Sequence, residues 1–218
     1  MPCVYENIYP ISQDKSSSLI NEKYYEHIIL SENNSFIGTP HIAFTLVRDS
    51  SNYHYDAERQ EINSDDFKGC ISIGSSSTLY SEDNLGFENR PVRLTVVKVN
   101  QQPAGKIIIG DNVMLQGTAI ICYNAVEIGN NVLFGPKVTI MDSSGHPIRC
   151  RGNHNEAART TSAKVTIKDN AWIGMGATIL KGVTIGENSV VSANSVVFGS
   201  IPDNCIAIGN PATVVKHL

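Results

Sequence analysis

Along residues 165–197, VTIKDNAWIGMGATILKGVTIGENSVVSANSVV, large aliphatic side chains return every six positions, at Ile167, Ile173, Ile179, Ile185, Val191 and Val197. Four places after each of the first five comes Ala171, Ala177, Val183, Ser189 or Ser195. A surface helix repeats near 3.6 residues and a half-buried strand near 2, so neither accounts for a period of six. A prism-shaped parallel β-helix does. Each hexad supplies one short strand and one corner, three hexads close a coil, and residues 18 apart stack on one face at about 4.8 Å.

The same period organises much of the chain. It starts faintly after Cys70 at Ile73, Leu79 and Leu85, and breaks over residues 88–105, which hold Pro91, Pro103 and the alternating Val92, Leu94 and Val96. This break reads as a strand pair or an excursion from the helix. The repeat resumes at Ile109, Leu115 and Ile121, slips by one position near Glu127, and continues at Ile128, Phe134 and Ile140. It then stops for residues 141–164, a polar stretch with Gly145, His146, Pro147, Arg149, Arg151 and His154. Long loops inside compact domains are uncommon and are often functional.

These patterns predict a mainly β protein in two parts. Residues 1–68 form an irregular, mixed N-terminal region, with a strand at 42–47 and short helices at 21–30 and 56–60. Residues 69–218 form the β-helix, with an excursion at 89–105, an active-site loop at 141–164 and a C-terminal cap at 201–218, since a solenoid must cover its open end.

Composition narrows the function classes. With 218 residues, 41% of them hydrophobic, the chain can build one solid core. A net charge of −4 and the lack of any Lys/Arg block give no support to nucleic-acid or anionic-membrane binding. The five cysteines lack a CxxC pair, which indicates neither a zinc site nor a disulfide framework and suits a reducing cytoplasm. No apolar run of 18 residues predicts a spanning helix, and the first 20 residues have no apolar signal segment. A small-molecule or saccharide partner is left.

Four groups of residues carry a resemblance: the hexads IGDNV and IGNNV, the loop DSSGHPI at residues 142–148, the segment AWIGMGATILKGVTIGENSVVSANSVV, and the ending IPDNCIAIGNPATVVK. Together they resemble the hexapeptide-repeat acyltransferases, in the branch of galactoside, maltose, xenobiotic and polysaccharide O-acetyltransferases. The resemblance spans about half the chain, residues 107–216. It implies a left-handed parallel β-helix, against the usual right-handed crossover. It further implies a homotrimer with acetyl-CoA between subunits and a saccharide acceptor such as a capsular, lipopolysaccharide or sialic-acid-containing glycan.

Acylating a sugar hydroxyl at neutral pH needs a base, and imidazole, with an ordinary pKa of about 6.5, is suited to that work. His146, flanked by Gly145 and Pro147 where the period breaks, is the candidate; in the family this residue activates the acceptor for direct attack on the thioester, without an acyl-enzyme. Asp142, four residues earlier, either orients the imidazole or makes a local turn contact. The family's asparagine oxyanion donor aligns with Gln116, and its acidic acceptor-binding position falls near Asn124, beside Tyr123. Met175 and Ala193, 18 apart, occupy the family's pantetheine positions, with Trp172 and Gly174 completing the wall near the thioester. Phe198 and Gly199 replace a Thr-Lys pair on the adenine side, and of two basic positions for phosphates one is Thr213 and the other Lys216.

The alternatives are an N-acyltransferase acting on an amino sugar or antibiotic, and a structural or saccharide-binding helix without catalysis. A γ-type carbonic anhydrase on the same helix needs three histidine ligands for zinc, and only His146 and His154 lie near the break. No metal is expected.

Overall fold

The computed structural model describes residues 3–11, 20–49, 62–83 and 86–218. Within them the chain winds a left-handed parallel β-helix whose three faces, in the order each coil meets them, are sheets of six, eight and seven strands. Each coil places one strand in each sheet. The third face, for example, receives His41–Asp49, Arg93–Val99, Ala119–Cys122, Thr139–Met141, Thr178–Leu180 and Val196–Val197 in turn, paired parallel.

The six-residue period becomes vertical columns inside the prism. Ile42, Leu94, Ile120, Ile140, Ile179 and Val197 are register partners on the third face, and all are buried. Leu79, Leu115, Phe134, Ile173, Val191 and Ala207 form the matching column on another face. Each buried aliphatic side chain of this size contributes about 1.5–3 kcal/mol. The small residues at the fourth place, Ala171, Ala177, Ser189 and Ser195, are buried too, where the corners leave little room.

One corner explains the recurring Asn of the hexads. Asn112, Asn131, Asn170, Asn188 and Asn204 all have positive φ, which Asn tolerates better than most residues. Their amides also bond from coil to coil: Asn112 Nδ2 donates to Asn131 Oδ1 at 2.9 Å, Asn131 to Asn170 at 3.2 Å, and Asn188 to Asn204 at 3.0 Å.

Three sequence-based boundaries move. The helix begins a coil before residue 69: Ile28–Leu30, Ser35–Ile37 and His41–Asp49 already pair parallel with the strands that follow them. The long connection after Asp49 hides this coil from any search for a fixed period. Arg93–Val99, inside the expected excursion at 89–105, is a strand of the third sheet in register with Ala119–Cys122, so only its flanks leave the prism. The helix expected at 21–30 is a single 3-10 turn, Glu22–Tyr24, followed by the strand Ile28–Leu30; parallel pairing with Ile71–Ile73 overrides its weak helical propensity. The helix expected at 56–60 and Leu85 lie outside the described residues.

The ends are treated differently. Cys3–Ile8 pairs antiparallel with His41–Asp49 and extends the third sheet. At the other end Cys205–Gly209 continues the second face and folds back antiparallel with Ala212–His217. Among the described residues no helix is long and apolar enough to cross a membrane.

Candidate active site

The loop after Thr139–Met141 leaves the third face and lies back over the outer side of that sheet. Its base is a short ladder: Ser143 bridges Ser162, and Ser144 N donates to Thr161 O at 3.0 Å. Ala163 N returns to Asp142 O at 2.8 Å. Its far end is held by the first coil. Asp49 Oδ1 accepts from Ala157 N at 2.7 Å and Oδ2 from Ala158 N at 3.1 Å, while Asn100 Nδ2 donates to the same Oδ2 at 2.9 Å. Ala157 is buried with Cys3, Val47 and Val97 in a second, smaller apolar cluster.

His146 sits on this loop, more than half exposed, with its Nδ1 2.8 Å from Glu156 Oε1. Glu156 is buried, and its other oxygen accepts from Gly152 N at 2.5 Å. The Gly152 amide and the imidazole hold its carboxyl below the usual carboxylate range, so it is ionised at neutral pH. A carboxylate only accepts, which assigns the proton to Nδ1 and leaves the Nε2 lone pair free. The arrangement is that of an oriented base with an exposed reactive nitrogen.

Asp142 does not take this part. Its buried carboxylate accepts from Tyr123 N and Asn124 N at 2.7 Å each, and Cys122 Sγ lies 3.5 Å away. It ties the corner beyond Ala119–Cys122 to the root of the loop. Burial raises its pKa and the two amides oppose that rise. Neither of the two readings open for Asp142 is the one present: its carboxylate meets neither the imidazole nor its own turn, but amides 18 and 19 residues away on the preceding coil.

Tyr123 and Asn124 therefore stand at the foot of the loop, fixed through their amides. Tyr123 packs against the second apolar cluster, and burial, with smaller contributions from Tyr5, Asp142 and Cys3, pushes its hydroxyl up to about 12. It stays protonated at neutral pH and can both donate and accept.

Of the residues expected around the coenzyme, Trp172, Gly174, Met175 and Ala193 gather along one corner, whereas Phe198 and Gly199 lie at the next corner, beyond Val196–Val197. Trp172 and Ile173 pair with Val190 and Val191, which brings Met175 beside Ala193; Asn194 N donates to Met175 O at 2.8 Å. Continuing the same register upward, Gly174 stands below Gly135 and Gly135 below Gln116. Gln116 thus shares a column with Gly174, and Met175 and Ala193 lie in the adjacent one. Met175 and Ala193 are exposed and leave a shelf open to an extended ligand, so these residues fit an acyl-coenzyme arm. Gly174 is glycine for another reason: a Cβ there would come within 2.5 Å of Ala193 N. Phe198 and Trp172 are exposed, Gly199 borders open space, and Lys216 lies on the closing hairpin. Among the described residues no hydrogen bond or ion pair joins the column of Gln116 to His146.

Two contacts of the candidate site were missed from sequence. Glu156 had a signal, because it is the sole acidic residue in 143–164. Asp49 had none, since 108 positions separate it from Ala157. The three-histidine zinc arrangement is not assembled: among the described residues no group of three or more His, Cys, Asp or Glu could hold a metal ion.

The sequence pattern of the bacterial transferase hexapeptide family (six repeats) matches residues 164–199. The galactoside O-acetyltransferases of Escherichia coli and Lactococcus lactis are each 42% identical to this chain, over 96 and 93 residues, or 43% of this chain and 44% of each relative. The chain thus spans about half the length of these curated relatives. WbbJ of Escherichia coli, which bears the name of a lipopolysaccharide biosynthesis O-acetyl transferase, is matched further: 34% identity over 157 residues, covering 69% of this chain and 80% of WbbJ. Among solved structures, an acetyltransferase of Bacillus cereus superposes with a TM-score of 0.52 at 19% identity, covering 88% and 78% of the two chains. The N-acyltransferase AntD of the same species gives 0.51 at 19%, covering 90% and 86%. Those two likenesses concern the fold alone. With the repeat, its register and the extent of the WbbJ match taken together, the chain belongs to the hexapeptide-repeat acetyltransferase family.

Proposed function

We propose that this protein is an acetyl-CoA-dependent O-acetyltransferase acting on a hydroxyl of a saccharide. The observation that carries the reading is the imidazole of His146, held through Nδ1 by the buried Glu156 carboxylate, with Nε2 free on the loop that interrupts the repeat. Nε2 takes the proton of the acceptor hydroxyl as its oxygen forms the new bond to the thioester carbonyl carbon. The C–S bond then breaks, and the departing thiolate receives the proton back from the imidazolium. Glu156 stabilises the cation in between, and such general base catalysis is typically worth ~10²–10⁴-fold. Gln116 donates to the developing oxyanion, and the shelf of Met175 and Ala193 holds the pantetheine arm.

Relatives named for galactosides and for lipopolysaccharide biosynthesis support the saccharide acceptor. The site is completed in a homotrimer; in support, among the described residues no hydrogen bond or ion pair joins Gln116 or the coenzyme corner to His146. An exposed apolar column on the second face, Met114, Leu133 and Trp172, each at least 42% exposed, is available to that assembly.

The reading is tested by release of CoA thiol from acetyl-CoA in the presence of glycan acceptors. His146→Ala is expected to lower kcat at least 10²-fold, with the KM for acetyl-CoA within twofold of wild type. Turnover within a few-fold of wild type would remove His146 from the mechanism.

A further inference from the structure

The chain as a whole carries a net charge of −4, yet residues 142–164 hold four basic side chains, Arg149, Arg151, Arg159 and Lys164, against two acidic ones. Both carboxylates and two of the cations are committed. Asp142 binds backbone amides, Glu156 binds His146 and Gly152, and Lys164 pairs with Glu127 at 2.6 Å. Arg159 gives its guanidinium to Arg149 O and Cys150 O, at 2.9 Å each. Arg149 and Arg151 remain. Both are exposed, and among the described residues neither guanidinium has a hydrogen-bond or ion-pair partner.

Their backbone, by contrast, is held firmly. Arg159 pins the carbonyls of Arg149 and Cys150, Glu156 pins the amide of Gly152, and Cys150 adopts a positive φ of 54°. The pin at Gly152 is the same carboxylate that orients His146, so the segment bearing the two arginines is tied to the reactive imidazole. Two unpaired guanidiniums, two residues apart on a held backbone, can offer an anion fork-shaped, charge-assisted hydrogen bonds. A flexible, solvated loop has no need of three pins.

We propose that Arg149 and Arg151 form an oxyanion-binding subsite, so that the acceptor is an anionic glycan whose carboxylate or phosphate lies beside the hydroxyl presented to His146. This rests on the O-acetyltransferase reading and deepens it by naming the acceptor's charge class.

The test uses acceptors in matched pairs: oligogalacturonate and its methyl ester, and a phosphorylated oligomannoside and its dephosphorylated form. Binding to the coenzyme-free protein is measured by calorimetry, and acetyl transfer by CoA release. At least one charged member is expected to bind about tenfold more tightly than its neutral twin. That advantage should shrink between 50 and 500 mM salt, roughly as screening demands, and vanish in the Arg149→Ala/Arg151→Ala double variant with the KM for acetyl-CoA unchanged. Which pair responds separates carboxylate from phosphate. The proposal is overturned if no charged member outbinds its twin. A rise in the KM for acetyl-CoA in the double variant overturns it too, by assigning the arginines to coenzyme phosphates, and so does loss of the assembly, by assigning them to a subunit contact. A binding advantage without CoA release from any acceptor would leave the subsite standing and sink the transferase reading instead.

Discussion

At the scale of the residue, the relation of Glu156 to His146 decides the chemistry of the loop. An ionised carboxylate on Nδ1 selects the tautomer whose Nε2 is basic, whereas an amide in its place can donate and stabilise the opposite tautomer. Glu156→Gln is therefore expected to lower kcat about 10²-fold with little change in the KM for acetyl-CoA, measured by CoA release. The same pair gives a pH dependence. The folded pKa of Glu156 lies below its ordinary value, so its stabilisation is present above about pH 4.3 and is lost as the pH falls through the folded value. Acid unfolding of the wild type should show this loss, and that of Glu156→Gln should not.

Elements explain why residues on adjacent columns have different jobs. The coils stack so closely at the corner after Trp172–Ile173 that Gly174 leaves no room for a methyl group beneath Ala193 N, while the Ala193 side chain faces outward. Gly174→Ala should thus lower the melting temperature, with a loss of about 1–3 kcal/mol from overpacking. Ala193→Trp should melt like the wild type but raise the KM for acetyl-CoA several-fold, because the added ring occupies the shelf. An unchanged KM would remove the coenzyme from this corner. The interior columns set the larger scale of cost: Ile179, fully buried between Ile140 and Val197, is worth about 2–5 kcal/mol against alanine.

Over the whole molecule, the first coil and the loop of residues 142–164 act as one unit. Asp49, at the end of His41–Asp49, accepts the two amides that follow Glu156, and the apolar contact of Ala157 with Cys3, Val47 and Val97 seals the same junction. Asp49→Ala is expected to speed hydrogen exchange at the Ala157 and Ala158 amides, the buried Ala157 donor losing the ~1–3 kcal/mol that an unpaired buried group costs. It should lower kcat about tenfold while the coils retain their melting temperature. Slow exchange at those amides in the variant would show that the apolar contact alone holds the loop.

Most of the prism was legible in the chain, because a solenoid repeats one local solution: Ile at the inward place, a small residue four positions on, and Asn at the left-handed corner, all within six residues. The loop that carries His146 was legible for the converse reason, as the place where the period fails and glycine and proline flank a histidine. The coil of residues 28–49 was not, since it is defined by pairing with Ile71–Ile73, Thr78–Tyr80 and Arg93–Val99 rather than by its own spacing. Nor could the sequence choose between Asp142 and Glu156 as the partner of the imidazole. Nearness in the chain favoured the first, and only the path of the loop, which folds back on itself and docks on Asp49, turned the second toward Nδ1. Local period is written in neighbouring side chains, whereas contacts between a loop and a distant strand depend on how the whole backbone closes.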